Sequence, residues 1–328
     1  MSKYYPLLFT PVFKDYMWGG RKLANLGKDI PETGHFAESW EIAAHKDGMT
    51  HVKNGIHAGK TLIDLIGEMG VNLVGSRNKW ALTRNQFPLL VKIIDANKRL
   101  SLQVHPNDSY ATQNEENDLG KSEMWVVLDA EPGTEIIYGL SKPATRLELQ
   151  DAVSDGRLED YINRIIIHAG DHICVPPGTL HAILEGSLIV EIQQNSNTTY
   201  RLYDWNRLDS SGTPRELHLE KALDVLNYNQ VKAELQDPVE VSKKPGLKTE
   251  ILCQNEYFTT ERITIKSGFD IIGNCDGKTF EIWGVLQGKI EVNHVPLTAV
   301  NFSILPAAMG LYKIKAYKDA VLLKSYVK

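Results

Sequence analysis

SLQVHPNDSYATQNEENDLGKSE, residues 101–123, begins as an alternating strand, passes through Pro106 into a polar loop, and ends on Gly120-Lys121-Ser122-Glu123 just before the apolar run MWVVL. Strand side chains alternate faces, so Ser101, Gln103 and His105 project together. A glutamine and a histidine on one strand face, followed by a glutamate opening another strand, are three candidate ligands for a metal or a substrate.

Outward from this stretch the texture is short strands and turns. PLLVKIIDANKRLSLQVH, residues 88–105, reads as a hairpin around Asp95-Ala96-Asn97-Lys98. Lys92 lies between Val91 and Ile93, either snorkelling at an edge or aimed into a polar cavity. Upstream, Tyr16–Gly20 is a turn with Trp18 as an aromatic anchor, Glu38–Ile42 alternates like a strand, and Thr61–Met69 has the apolar spacing of a short helix. Downstream, EIIYGL is another strand, Ser141–Ile165 reads as two short helices, and Glu216–Leu226 as one more. The remainder is strand runs punctuated by Gly, Pro, Asn and Asp. That pattern predicts a mainly β chain, a sandwich or barrel with small helical insertions.

Composition narrows the function classes. The chain has 328 residues, which predicts two domains. Its net charge of −5 gives no electrostatic case for nucleic acid or an anionic membrane. No apolar run approaches the roughly 20 residues of a membrane span. The N-terminus, with prolines inside its apolar part, is a poor signal peptide. Cys174, Cys253 and Cys275 have no metal-like spacing and read as reduced, buried thiols of an intracellular protein. The expected location is the cytoplasm, with no obligatory protein partner evident.

Gly170–His181, GDHICVPPGTLH, has the form G-x5-P-x-G-x2-H and resembles the second motif of the cupin families, small jelly-roll barrels. In that register the first motif falls on Gln103-x-His105 and then Glu123. His105, Glu123 and His181, with Gln103 as a fourth, form the candidate metal set, and two imidazoles with a carboxylate suit zinc. A decayed repeat follows: Glu123-Met-Trp-Val-Val-Leu recurs as Glu281-Ile-Trp-Gly-Val-Leu, and Val175-Pro-Pro-Gly as Leu305-Pro-Ala-Ala. The place of His181 falls at Leu311, so a second barrel is expected without a metal. Glu123 and His181 are 58 residues apart, Glu281 and Leu311 only 30. The helical passage 141–168 has about the length of that difference and reads as an insertion in the first barrel. The expected organisation is two cupin-type jelly-roll barrels: a metal-binding domain over 1–232 and a smaller one over 233–328.

VEIQQNSNTTYRLYDW, residues 190–205, alternates as a strand, bends through a polar run and resumes, placing Arg201 beside the pocket. There an arginine can stabilise an oxyanion or hold a phosphate; a salt bridge to Asp204 or Asp209 is the alternative. Taken together, PLLVKIIDANKRLSLQVHP, GKSEMW, VPPGTLHAI and TTYRLYDWNR, with the early YMWGG, resemble the type I mannose-6-phosphate isomerases (phosphomannose isomerases) in their short bacterial form. The resemblance spans nearly the whole chain and is strongest to about Arg207. It implies a zinc-dependent exchange of mannose 6-phosphate and fructose 6-phosphate, with metal ligands at Gln103, His105, Glu123 and His181. It puts the catalytic arginine at Arg201, the lysine of a K-x-E motif at Lys121, and a strand lysine at Lys92. Four residues before the arginine the family usually has an acid; here that place is Asn197.

The residues suit aldose–ketose chemistry, which moves a proton between C1 and C2 through an enediolate. Lys121 would shuttle the proton, Arg201 would stabilise the oxyanion, and Lys92 with Ser101 would hold the phosphate. Two other readings are an Fe(II) oxygenase and a sugar-binding regulator without turnover. Gln103 as a fourth ligand, with Lys121 and Arg201, favours a sugar phosphate over the first. The absence of a basic or helix-turn-helix segment speaks against a DNA-linked form of the second.

Overall fold

The computed structural model describes residues 3–116, 118–209 and 211–328. The fold is mainly β, of the expected cupin type, with small helices inserted between strands. Contacts divide the chain into two compact units: Met1–Val12, Trp40–Val91 and Asp237–Lys328 in one, Phe13–Ser39 and Lys92–Gln236 in the other. The sequence places a boundary at 232/233, near the edge at Gln236/Asp237. It does not show that 40–91 packs with the C-terminal strands.

The unit containing Asp237–Lys328 has an eight-stranded sheet centred on Ala320–Tyr326, Glu281–Gln287 and Phe302–Leu305, and a four-stranded sheet centred on Gly310–Ala316 and Lys289–Val292. Inward-facing Ile263, Trp283, Val285, Ile290, Ile314 and Leu322 form its core. Helix Leu62–Met69 lies where its spacing predicts, capped by Thr61 and Asp64 in a reciprocal box that satisfies two end donors. Glu281 ends inside this core, held by protein partners. Its Oε2 accepts from Trp283 Nε1 at 2.8 Å and Tyr312 Oη at 2.5 Å, and Lys324 Nζ lies 2.9 Å from Oε1. Leu311 is exposed; the neighbouring Tyr312 is the residue that turns inward.

In the other unit, one sheet runs in the order Ile162–Ile166, Glu135–Leu140, His181–Ile183, Leu102–Val104, Tyr200–Tyr203. The second contains His172–Val175, Glu123–Ala130 and Ser187–Gln194, followed by Leu89–Ala96. Between them Trp125, Val127, Ile173 and Ile189 meet Ile136 and Ile183. The first sheet's other face carries Leu102, Val104, Ile137 and Leu202, which pack with Leu149, Ala222 and Leu223 of helices Arg146–Ser154 and Leu219–Val225. Those helices cover one apolar face and leave the other free to line a cavity.

Three expectations change. Leu89–Ala96 and Leu102–Val104 lie in different sheets, so 88–105 is a crossover rather than a hairpin. The expected second helix of 141–165 is a single 3-10 turn, Leu158–Tyr161, which gives way to strand Ile162–Ile166 paired with Glu135–Leu140. Sheet pairing overrides the local helical spacing there. Cys174 and Cys253 are not the reduced thiols expected, whereas Cys275 is free and buried. Among the described residues no helix is long and apolar enough to cross a membrane.

Candidate active site

Gln103 lies on a central strand, paired with His181 on one side and Arg201 on the other. Directly opposed residues of antiparallel neighbours share a face, so one row carries Arg201, Gln103, His181 and Tyr138. On the second sheet Glu123 and Trp125, two residues apart, are opposed by Gln193 and Glu191. The Trp125 and His181 rings meet at 5.4 Å and join the two rows. His105, just past its strand, is tied to the Pro-Pro-Gly turn: Gly178 N–H donates to its carbonyl at 2.9 Å. Gly178 has φ 84°, and a Cβ there would lie 2.9 Å from the Val225 carbonyl, so this turn requires glycine.

His105, Glu123 and His181 converge as a buried cluster. His105 Nε2 is 3.1 Å from Glu123 Oε1, and His181 Nε2 is 3.6 Å from Oε2. These distances bracket the roughly 3.3 Å expected between two ligands each about 2.0 Å from one tetrahedral metal. His105 Nδ1 donates to the Thr198 carbonyl at 2.9 Å and His181 Nδ1 to the Thr179 carbonyl at 2.8 Å. A carbonyl only accepts, so each Nδ1 holds the hydrogen and each Nε2 presents a lone pair. Lys121 Nζ lies 2.5 Å from Glu123 Oε1, yet among the described residues neither carboxylate oxygen receives a well-directed hydrogen bond. A buried carboxylate left in that state, with two Nε2 lone pairs facing it, fits a divalent cation. Gln103 Nε2 approaches His181 Nε2 at 3.4 Å, and Ser101 Oγ donates to Gln103 Oε1 at 3.3 Å.

The electrostatics keep these groups in ligand form. Burial, with the charge of Lys121, holds His105 well below the usual imidazole range. Burial also lowers His181, against the attraction of Glu123. For Glu123 burial acts upward, but Lys121 and His181 outweigh it and hold the carboxyl at about 2. Neutral imidazoles and an ionised carboxylate near pH 7 are the species that bind metal without first losing protons.

A cavity of about 240 Å³ opens beside the cluster, lined by Gln103, Lys121, Lys92, Ser101, Asn197 and Arg201. All nine residues singled out in the sequence therefore reach one place, three in the buried cluster and six on the cavity wall. The environment of Lys92 is not legible in the sequence. Its ammonium lies 2.8 Å from Glu191 and 3.6 Å from Glu38, both buried. Burial opposes its charge, but these carboxylates raise its pKa above the ordinary lysine value. Glu191 also accepts from Trp125 Nε1 at 3.2 Å, and burial with the nearby Glu123 raises its own pKa. Sequence reasoning missed Glu38, Glu191 and Arg215 on this wall. The alternation of Val190–Gln194 held a signal for Glu191, since it shares a strand face with Gln193.

Residues 7–128 match the family model for the catalytic domain of type I phosphomannose isomerase. The chain is 37% identical over 321 residues to the mannose-6-phosphate isomerase ManA of Bacillus subtilis, covering 97% of this chain and 98% of that one. It is 40% identical over 257 residues to a mannose-6-phosphate isomerase of Streptococcus mutans, covering 77% of each. The crystal structure of the mannose 6-phosphate isomerase from Bacillus subtilis superposes with a TM-score of 0.87 at 37% identity, over 98% of this chain and 99% of that one. Agreement of this kind along the whole length, with the buried His–Glu–His cluster at its centre, makes the chain an isomerase of the type I phosphomannose isomerase family.

Proposed function

We propose that this enzyme interconverts mannose 6-phosphate and fructose 6-phosphate in the cytoplasm, with zinc held by His105, Glu123 and His181 and with Gln103 as fourth ligand. The observation that carries this reading is the tied Nδ1 atoms: both imidazoles are committed to present Nε2 to one carboxylate, beside a polar cavity. Zinc in that site would supply Lewis-acid polarisation of the sugar's carbonyl and hydroxyl oxygens. The chain's own residues supply the rest. Lys121, on the cavity wall next to Glu123, takes the C2 proton of the aldose as the neutral amine and returns it at C1 of the enediolate. O1 gains a proton and O2 loses one, so the exchange is internal and needs no oxidant. Arg201 donates to the oxygen on which charge develops. Lys92, Ser101 and Asn197 contact the substrate from the same wall.

The direct test is a coupled assay with mannose 6-phosphate on protein whose metal content has been measured. Turnover that follows zinc occupancy is expected; a zinc-loaded protein inert toward this sugar overturns the reading. Arg201→Lys should keep the metal and lose at least about a hundredfold in kcat, because an ammonium does not reproduce the planar fork and two tenfold factors correspond to about 2.7 kcal/mol. Near-native turnover in Arg201→Lys would make this residue a structural salt-bridge partner instead.

A further inference from the structure

The charges along the cavity wall are unevenly compensated. At Lys92 one cation faces two buried carboxylates, Glu38 and Glu191. Next to two other lining residues, Arg201 and Arg215, the balance is reversed: with Arg207 they gather around a single buried carboxylate, Asp204. Each nitrogen of Arg207 bonds the protein, its Nε the Asp204 carbonyl, Nη1 the Arg99 carbonyl and Nη2 Asp204 Oδ1. Arg215 binds Asp204 by one edge, Nε to Oδ2 at 2.9 Å and Nη2 to Oδ1 at 2.5 Å. Its Nη1 has no hydrogen bond among the described residues, on a side chain that lines the cavity. Arg201 donates by Nη1 to the Glu216 carbonyl at 2.5 Å, while its buried Nε has no partner among the described residues. Burial lowers the pKa of Arg201, and Arg215 and Arg207 lower it further. The Glu216 carboxylate, mostly exposed, is screened by water and offsets little of this.

Three guanidinium groups against one buried carboxylate leave a surplus of two positive charges, with uncommitted N–H groups on the two arginines that line the cavity. A phosphate monoester carries close to two negative charges near neutral pH and accepts through several oxygens, which matches both the charge and the donors. We propose that Arg215, held in place by Asp204, is the phosphate-specificity residue of this enzyme: in the positive field it shares with Arg201, whose donors serve the reacting oxygens, it grips the 6-phosphate, while Lys92, already neutralised by Glu38 and Glu191, contacts the sugar rather than the phosphate. The inference rests on the hexose-phosphate reading above and orients the substrate within it.

The experiment compares native enzyme with Arg215→Gln on mannose 6-phosphate and on unphosphorylated mannose. KM for the phosphorylated sugar should rise by about 30-fold or more, the scale of one charge-assisted hydrogen-bonding group, with kcat within about threefold. Turnover of unphosphorylated mannose should fall far less, so that discrimination between the two sugars collapses. A KM for mannose 6-phosphate within about threefold of native, or an equal loss on both sugars, overturns the proposal. Arg215→Lys retains a cation for Asp204 and carries the same test if the Gln variant does not fold; its KM should also rise, because an ammonium loses the fork. Calorimetric titration with inorganic phosphate separates this idea from the reaction assigned above. If the native protein binds phosphate and Arg215→Gln does not, the subsite stands even for an enzyme inert toward mannose 6-phosphate. Equal phosphate binding by both proteins removes it.

Discussion

Lys121→Ala is expected to stop proton exchange between C1 and C2 while leaving the metal in place. Lys121 is buried, lines the cavity, and has its Nζ 2.5 Å from Glu123 Oε1 and 3.2 Å from His105 Nε2. No other lysine among the described residues both lines the cavity and approaches the cluster this closely; Lys92 is held between Glu191 and Glu38. A positioned proton-transfer group contributes roughly 10²–10⁴-fold, and the loss should fall in that range. The measurement is deuterium incorporation into fructose 6-phosphate in heavy water, with zinc content determined on the same sample. Asn197→Asp belongs in the same series, because an amide cannot accept a proton near neutral pH. With Lys121 as the shuttle, the native enzyme is active and Asn197→Asp changes exchange by less than about tenfold, well short of a whole catalytic group. An inert native protein rescued by Asn197→Asp would place the base at position 197, and full exchange in Lys121→Ala would remove Lys121 from the reaction.

His181→Ala should lose metal and activity together. His181 is one of three converging candidate ligands, its Nε2 3.6 Å from Glu123 and its tautomer set by the Thr179 carbonyl. Loss of even an outer-shell partner costs about 10–100-fold in metal affinity, and a direct ligand should cost at least the upper figure. Metal content after dialysis against a weak chelator, with circular dichroism as a check on folding, decides the point. A folded His181→Ala that keeps full zinc would dismantle the metal centre proposed above. The metal-free native protein should stay folded, because the site sits in a barrel whose apolar residues are already buried without it.

The site was more legible in the sequence than the architecture around it, and the reason lies in periodicity. Strand alternation puts Gln103 and its neighbours on one face, and the Pro-Pro-Gly turn delivers His181 to the same interior; both are local rules that operate within a few residues. The helix at Leu62–Met69 was likewise legible from its apolar spacing and the cap that precedes it. Local rules do not say which strand lies beside which. That Leu89–Ala96 and Leu102–Val104 belong to different sheets, that 40–91 joins the unit of the C-terminal strands, and that Ile162–Ile166 is strand rather than helix were decided by pairings between distant segments. The same holds for charge. In the sequence Lys92 and Arg215 are two cations among 36, and only the fold sets two buried carboxylates against the first and draws two further arginines around the second. The residue types for this chemistry were present in the linear chain, whereas their electrostatic environment comes from long-range packing, because a charge's energy depends on the distance and burial of its partners rather than on their separation along the backbone.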